Sequence, residues 1–335
     1  MDISNEFRDS WLMPPYRVLL AGLGVIVVWA SAFPAIRVAA PELGVIGLSA
    51  VRLGIAALAL LVLAPMLRVR MPARRDLPLV LACGFFGMAA YQVFLNWGEL
   101  FVPADTASII VTAAPLVSVA IAAGVFGERL TVLKIIGSAV AIAGVALVSL
   151  GHAGLSLSGA AWLVVGAMIV QGIYHPLTKP LLARYSGLEV ATYGMIAGTV
   201  MVLPALPFAW QELLSASPAA WWSAAYLGLL PSALGFVLWG YAVARLPIAT
   251  STSLLYLVPP IAMLIAYFWL GEVPFASELL GGLVVIIGVL MVSLGDRIQN
   301  HIRLGAGSRG GKGPFDSTCR SSGAGWKRAS SRSSR

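Results

Sequence analysis

The chain has 335 residues, of which 59% are hydrophobic and 11% charged, with a mean hydropathy of +0.90. Soluble domains are about a quarter charged and roughly half apolar, so this composition excludes an ordinary water-soluble core and makes lipid the solvent. The net charge of +8 does not point to nucleic acid, because nine of the 22 Lys and Arg residues lie after Gly295 in a Gly/Ser/Arg-rich tail.

Residues 1–17 are polar and mixed in charge, and the apolar run after them lacks a short h-region with a small-residue cleavage site. That run therefore reads as a retained first helix behind a cytoplasmic N-terminal segment. Breaks at charges, prolines and polar clusters delimit ten apolar segments, at 18–37, 44–66, 77–97, 106–126, 132–151, 158–177, 187–208, 219–242, 248–270 and 277–295. Each has the roughly 20 residues that a ~30 Å hydrocarbon core demands of a helix. Residues 296–335 read as a basic, disordered cytoplasmic tail. Cys83 sits in an apolar run and Cys319 in the tail, so neither a disulfide framework nor a CxxC metal site is present, and no metal or cofactor is expected.

Loop charges alternate along the chain. One set of connections carries Arg68, Arg70, Arg74, Arg75, Arg129, Lys134, Lys179, Arg184 and Arg245. The other carries Arg37 alone, with Glu42, Glu99, Asp105, Glu212, Glu272 and Glu278. The excess of basic residues on the cytoplasmic side of membrane proteins then puts both termini in the cytoplasm.

The most specific feature is an internal repeat. A shift of 144 residues lays Pro103–Gly151 on Pro247–Gly295 without a gap. Pro103, Thr106, Pro115, Gly127-Glu128, Gly137 and Gly144 meet Pro247, Thr250, Pro259, Gly271-Glu272, Gly281 and Gly288. The start of each half is fainter: Phe33-Pro34 with Arg37 pairs with His175-Pro176 and Lys179 at a shift of 142. Five helices is an odd number, so a second copy enters the membrane from the opposite side. The expected fold is thus all-α and integral to the membrane, with ten transmembrane helices as two inverted five-helix repeats, residues 18–151 and 152–295. Inverted repeats of this kind characterise secondary transporters, whose substrate sites lie near the midplane between the halves.

Ten spans, a five-helix duplication and the Pro-x11-Pro-x11-Gly-Glu pattern of Pro103-Pro115-Gly127-Glu128 and Pro247-Pro259-Gly271-Glu272 resemble the drug/metabolite transporter superfamily, specifically the EamA-domain exporters. Trp29-Ala30-Ser31-Ala32-Phe33-Pro34 is also similar to that family's first helix, and residues 91–115 are most similar to its aromatic amino-acid exporter branch, called YddG. The resemblance implies a basket of helices around a central cavity lined mainly by helices 1, 3, 4, 6, 8 and 9, with alternating access by rocking or bending of the halves. It places helices 5 and 10 at one side as a support. The residues themselves favour close packing there, since Gly137, Gly144 and Gly151, like Gly281, Gly288 and Gly295, recur every seven positions.

Polar and aromatic residues at mid-depth are the candidate substrate ligands, because unpartnered polar groups in hydrocarbon are costly. They are Trp29 and Ser31 in helix 1; Tyr91, Gln92 and Asn96 in helix 3; Ser108 and Thr112 in helix 4; and Gln171, Tyr174 and His175 in helix 6. Helix 8 adds Trp239, and helix 9 adds Ser253 and Tyr256. Amides and hydroxyls among aromatic faces suit a zwitterion with an apolar or aromatic side chain. For each of them a helix–helix hydrogen bond or an interfacial position is the structural alternative, and Trp97, Trp210, Trp221 and Trp222 near span ends read as an interfacial belt. Prolines inside spans free a carbonyl one turn earlier, so Pro34, Pro115, Pro176 and Pro259 mark kinks that are either hinges or static bends. Arg52, the one basic residue inside a span, is either functional, snorkelling, or paired with Glu42 or Glu99. His175 is either a proton-coupling group or a wall residue.

No GxxxxGK[ST] loop is present, which disfavours an ATP-driven pump, and none of the three histidines has a GxSxG or HExxH context, so an enzyme is not expected. The absence of mid-span carboxylates favours facilitated export down a gradient, or coupling that the sequence does not reveal, over a carboxylate-driven antiporter. The expected function is export of small metabolites, above all aromatic or other neutral amino acids, from the cell through the inner (plasma) membrane. A drug, sugar-phosphate or lipid carrier of the same superfamily, or a passive channel, is the alternative. The partners expected are a small-molecule substrate and the lipid bilayer, without nucleic acid, for a monomer or weak homodimer.

Overall fold

The computed structural model describes residues 15–126, 132–153, 159–243, 255–288, 290–291 and 294, all within one unit that spans Met1–Arg297. The 296–335 tail, the Gly127-Glu128 turn, Pro247 and Ser253 lie outside the described residues. Every regular element among the described residues is helical. Five stretches are long and apolar enough to cross a membrane on their own: Leu20–Leu63, Arg74–Gly98, Ala161–Leu182, Gly187–Ser215 and Pro218–Ala242. Shorter apolar helices fill Ala104–Ser118, Ile135–Gly144, Val258–Leu270 and Ala276–Gly288.

The helices in chain order are α1 (Pro15–Ala30), α2 (Ala32–Leu63), α3 (Leu77–Cys83), α4 (Tyr91–Gly98), α5 (Ala104–Val111), α6 (Ala114–Phe126) and α7 (Val132–Ala153). They continue as α8 (Gly159–Leu182), α9 (Gly187–Val202), α10 (Trp210–Ser215), α11 (Pro218–Leu227), α12 (Gly235–Val243), α13 (Val258–Leu270) and α14 (Ala276–Gly288). A wider π-helical turn, Gly84–Ala90, joins α3 to α4, and a second, Gly228–Leu234, joins α11 to α12.

The 44-residue stretch Leu20–Leu63 would measure roughly 66 Å as one straight helix, about twice the hydrocarbon core. It breaks at Gly44, whose φ of 67° and ψ of 167° suit glycine and few other residues. The sequence puts this break after Arg37; the helix instead runs on to Leu43, because Ala39, Ala40 and Leu43 continue its buried face. Arg37 and Glu42 are therefore helical rather than loop residues. Elsewhere the ends follow local chemistry. Ser186 and Glu189 form a capping box at the start of α9, Ser217 caps α11, and Gly271 in the left-handed region closes α13.

Element boundaries recur at the same 144-residue interval as the sequence repeat. The π turns begin at Gly84 and Gly228, α4 and α12 at Tyr91 and Gly235, α6 and α13 at Ala114 and Val258, and α7 and α14 at Val132 and Ala276. The α7–α14 contact repeats as well. A Cβ on Gly144 would lie 2.7 Å from Val285 N and 2.9 Å from Gly281 O, while one on Gly288 would lie 2.4 Å from Ala141 N and 2.6 Å from Gly137 O. The two helices thus meet backbone to backbone through small residues, where membrane helices gain their van der Waals contact.

The contacts of charged side chains near the helix ends include two sets that share no residue. Arg70 binds Glu189 at 2.9 Å, Arg184 binds Asp76 at 2.6 Å, and Tyr185 donates to Asp76 at 2.7 Å. In the other group Arg37 pairs with Glu272 at 3.4 Å and donates to the Glu99 carbonyl at 2.7 Å, while the Ser217 N–H and hydroxyl donate to Glu42 at 2.6 and 2.9 Å. Two buried apolar clusters accompany them: one built around Phe33, Ile36, Leu43, Leu95 and Ile110, the other around Leu53, Met88, Leu181, Met195 and Phe236.

Candidate functional site

Residues of both clusters line a cavity of about 80 Å³, room for on the order of six water molecules. Trp29 at the end of α1 and Arg52 in α2 both line it, although 23 residues of straight helix would hold them roughly 34 Å apart. The break at Gly44 is what allows the chain to fold back and bring them together.

Each helix contributes one face. Trp29, Ala32 and Phe33, then Tyr91 and Leu95, then Ser108, Val111, Thr112 and Pro115, then Gln171 and His175 all line the cavity at spacings of three and four, the spacing that keeps side chains on one side of a helix. The wall is mostly aromatic and aliphatic, completed by Phe236, Leu255 and Val258. Three breaks flank it. α1 ends at Ala30, one turn before Pro34, α5 ends at Val111, one turn before Pro115, and α13 opens with Val258-Pro259 after a tighter turn, Leu255–Leu257. In the first two, proline removes the N–H that would have closed the preceding turn. By contrast α8 stays helical through Pro176.

The position of Trp29 depends on the second π turn. Its indole Nε1 donates to the Pro231 carbonyl at 3.0 Å, and a Cβ on Gly235 would lie only 2.5 Å from that nitrogen. Its ring also meets Phe236 at 5.3 Å and Trp239 at 5.5 Å. Arg52 is 3% exposed, and its Nε donates to Ser232 Oγ in the same π turn at 2.8 Å. It pairs with neither Glu42 nor Glu99, and its Nη1 has no partner among the described residues. Gln171 Oε1 and His175 Nε2 are likewise buried without a partner. Buried polar groups are nearly always satisfied, so three such atoms on residues around one cavity are the chemical signature of this site.

Of the sequence candidates, Trp29, Tyr91, Ser108, Thr112, Gln171, His175 and Pro115 line the cavity. Ser31 lies outside the lining and shares a 2.5 Å hydrogen bond with Tyr226. Gln92 and Asn96 are fully buried on other faces of α4, and Asn96 donates to Ser49 at 2.9 Å. Tyr174 packs over Gly87 and meets Phe236 at 6.2 Å, and Trp239 backs the wall 6.3 Å from His175. Tyr256 lies in the turn before α13. Sequence reasoning missed Phe33, Phe236 and the Pro231–Ser232 contacts. The first two were legible as partners of Trp29 and Trp239 at helical spacing.

Glu99 follows α4 one turn beyond the lining residue Leu95. Its carboxylate oxygens are buried without a partner, and burial pushes this carboxyl well above the ordinary glutamate range, against the pull of Arg37 and Arg52.

The model of the EamA-like transporter family matches the chain twice, over residues 17–150 and 158–294. A protein of Streptantibioticus cattleyicolor named "Probable terminal-alkyne amino-acid exporter" is 56% identical over 80% of this chain and 90% of its own length. An uncharacterized transporter of Bacillus subtilis, YdfC, is 32% identical over 85% of this chain and 94% of its own. A "Probable amino-acid metabolite efflux pump" of Salmonella typhimurium is 26% identical over 84% of this chain and 96% of its own. One solved structure superposes with a TM-score of 0.59 at 18% identity, covering 83% of this chain and 98% of that one, a likeness of fold alone.

Proposed function

Because the chain belongs to the EamA-like transporter family, and is therefore a membrane transporter, we propose that it exports neutral amino acids across the inner (plasma) membrane by alternating access through the cavity between α1, α2, α4, α5 and α8. The observation that carries this reading is the lining: an apolar, partly aromatic wall interrupted by Arg52, Gln171 and His175, each with one buried polar atom that has no partner among the described residues. Such a wall offers hydrogen bonds to the polar end of an amino acid and dispersion contact to its side chain. The name of the S. cattleyicolor relative supports the same substrate class.

In this reading the chain crosses the membrane ten times, as inverted repeats at 18–151 and 152–295 with both termini in the cytoplasm. The 144-residue recurrence of helix boundaries and of the Gly144 and Gly288 contacts supports the duplication, and the two separate sets of charged-residue contacts support the alternation of loops. Pro34, Pro115, Pro176 and Pro259 are its hinges, the monomer or weak homodimer its working form, and facilitated export its energetics. Ser31, Gln92, Asn96, Tyr174, Trp239 and Tyr256 act behind or beside the lining residues.

Uptake of labelled L-alanine, L-threonine, L-phenylalanine, L-tryptophan and L-propargylglycine into proteoliposomes tests the reading. At least one is expected to enter saturably and to be competed by the others. Failure of all five, with movement of a nucleotide sugar or a lipid instead, overturns it.

A further inference from the structure

Among the described residues, Arg52 is the only side chain of fixed charge in the cavity lining, and it is 3% exposed. A guanidinium withdrawn from water is normally paired with a carboxylate, since its desolvation costs several kcal/mol. Here its one hydrogen bond goes to the neutral hydroxyl of Ser232, it joins no ion pair among the described residues, and Nη1 has no partner. The Ser232 bond takes Nε and so fixes the plane of the group beside the cavity. Snorkelling does not account for it, because the residue as a whole is 3% exposed and Nη1 is buried. The wall thus holds a positioned cation that makes no direct ion pair among the described residues; the buried carboxyl of Glu99 feels its charge without contacting it.

We infer that Arg52 is the anion-binding anchor of the cavity and that it takes the α-carboxylate of the transported amino acid. This rests on the amino-acid reading above and sharpens it. Guanidinium and carboxylate match as two parallel charge-assisted hydrogen bonds, and the substrate's own negative charge supplies the missing counterion. The unpartnered Gln171 Oε1 is the acceptor for the α-ammonium group, and the aromatic faces of Trp29, Tyr91 and Phe236 enclose the side chain. The site then selects for a free carboxylate: amino-acid amides and amines of the same shape leave Arg52 buried and unpaired.

Exchange of labelled L-phenylalanine and L-propargylglycine in proteoliposomes, inhibited by L-phenylalanine, L-phenylalaninamide or 2-phenylethylamine, provides the test. The wild-type protein is expected to bind the amide and the amine at least tenfold more weakly than the acid. Arg52→Gln raises the half-saturating concentration at least tenfold and abolishes that discrimination, while Arg52→Lys retains part of it. Equal inhibition of the wild-type protein by acid and amide overturns the inference without any variant, and so does an Arg52→Gln protein that keeps the discrimination. If no amino acid moves in the wild-type protein, the amino-acid reading itself fails; if amino acids move and the carboxylate is ignored, only the role of Arg52 fails.

Discussion

Glu99 shows how far a residue's position can depart from its place in the sequence. It follows a helix end, as the sequence indicates, yet it is 0% exposed and both carboxylate oxygens lack a partner. Burial raises its pKa above the ordinary 4.5, so the folded chain holds this proton more tightly than the unfolded one. The stability it contributes is fully present below about pH 4.5 and is lost as pH rises towards the raised value. Thermal unfolding in detergent from about pH 5 to about pH 8 is expected to show a falling Tm that Glu99→Gln flattens. Parallel slopes in the two proteins would place the titration elsewhere. Other single residues were more legible. Tyr91, Thr112, Gln171 and His175 stood out as polar groups in apolar runs, and each lines the cavity. Gln92 stood out equally but lies about 100° around α4 from Tyr91, on a face that composition alone does not distinguish.

At the scale of elements, the two π turns shape the site, and they were hidden. Gly84–Ala90 and Gly228–Leu234 occupy equivalent places in the 144-residue register but share little sequence beyond the first glycine. A π turn needs no particular side chain and so leaves no periodic signal. Its consequences are concrete. At Gly87 a Cβ would lie 2.2 Å from Tyr174 Cδ2, so the tyrosine ring rests on bare backbone. Gly87→Ala is expected to cost about 1–3 kcal/mol by overpacking, and Tyr174→Ala about 3 kcal/mol or more by truncating a buried aromatic ring. The double variant should be less destabilised than the sum, because the alanine methyl then occupies space the ring has vacated. Additive losses in Tm would mean that the two residues do not press on each other. The close approach of α7 and α14 was, in contrast, readable beforehand: glycines every seven residues mark a face where backbones can meet, and Gly144 and Gly288 lie there.

For the whole molecule, the strongest sequence signal was the duplication, since ungapped Pro and Gly-Glu matches do not arise from apolar bias alone. Helix boundaries keep the same 144-residue interval well outside the segment where residues match, back to Gly84. The sequence indicates the fold-back that brings Trp29 and Arg52 to one cavity but sets it after Arg37 rather than at Gly44, because Arg37 and Glu42 look like loop charges. The carrier proposed above would expose its substrate to one side of the membrane at a time. Counterflow measures this most directly: proteoliposomes loaded with unlabelled L-alanine and diluted into trace labelled L-alanine should accumulate label transiently above equilibrium, with a saturable initial rate. Flux that is linear in concentration, shows no such overshoot and is accompanied by unitary currents would contradict the account.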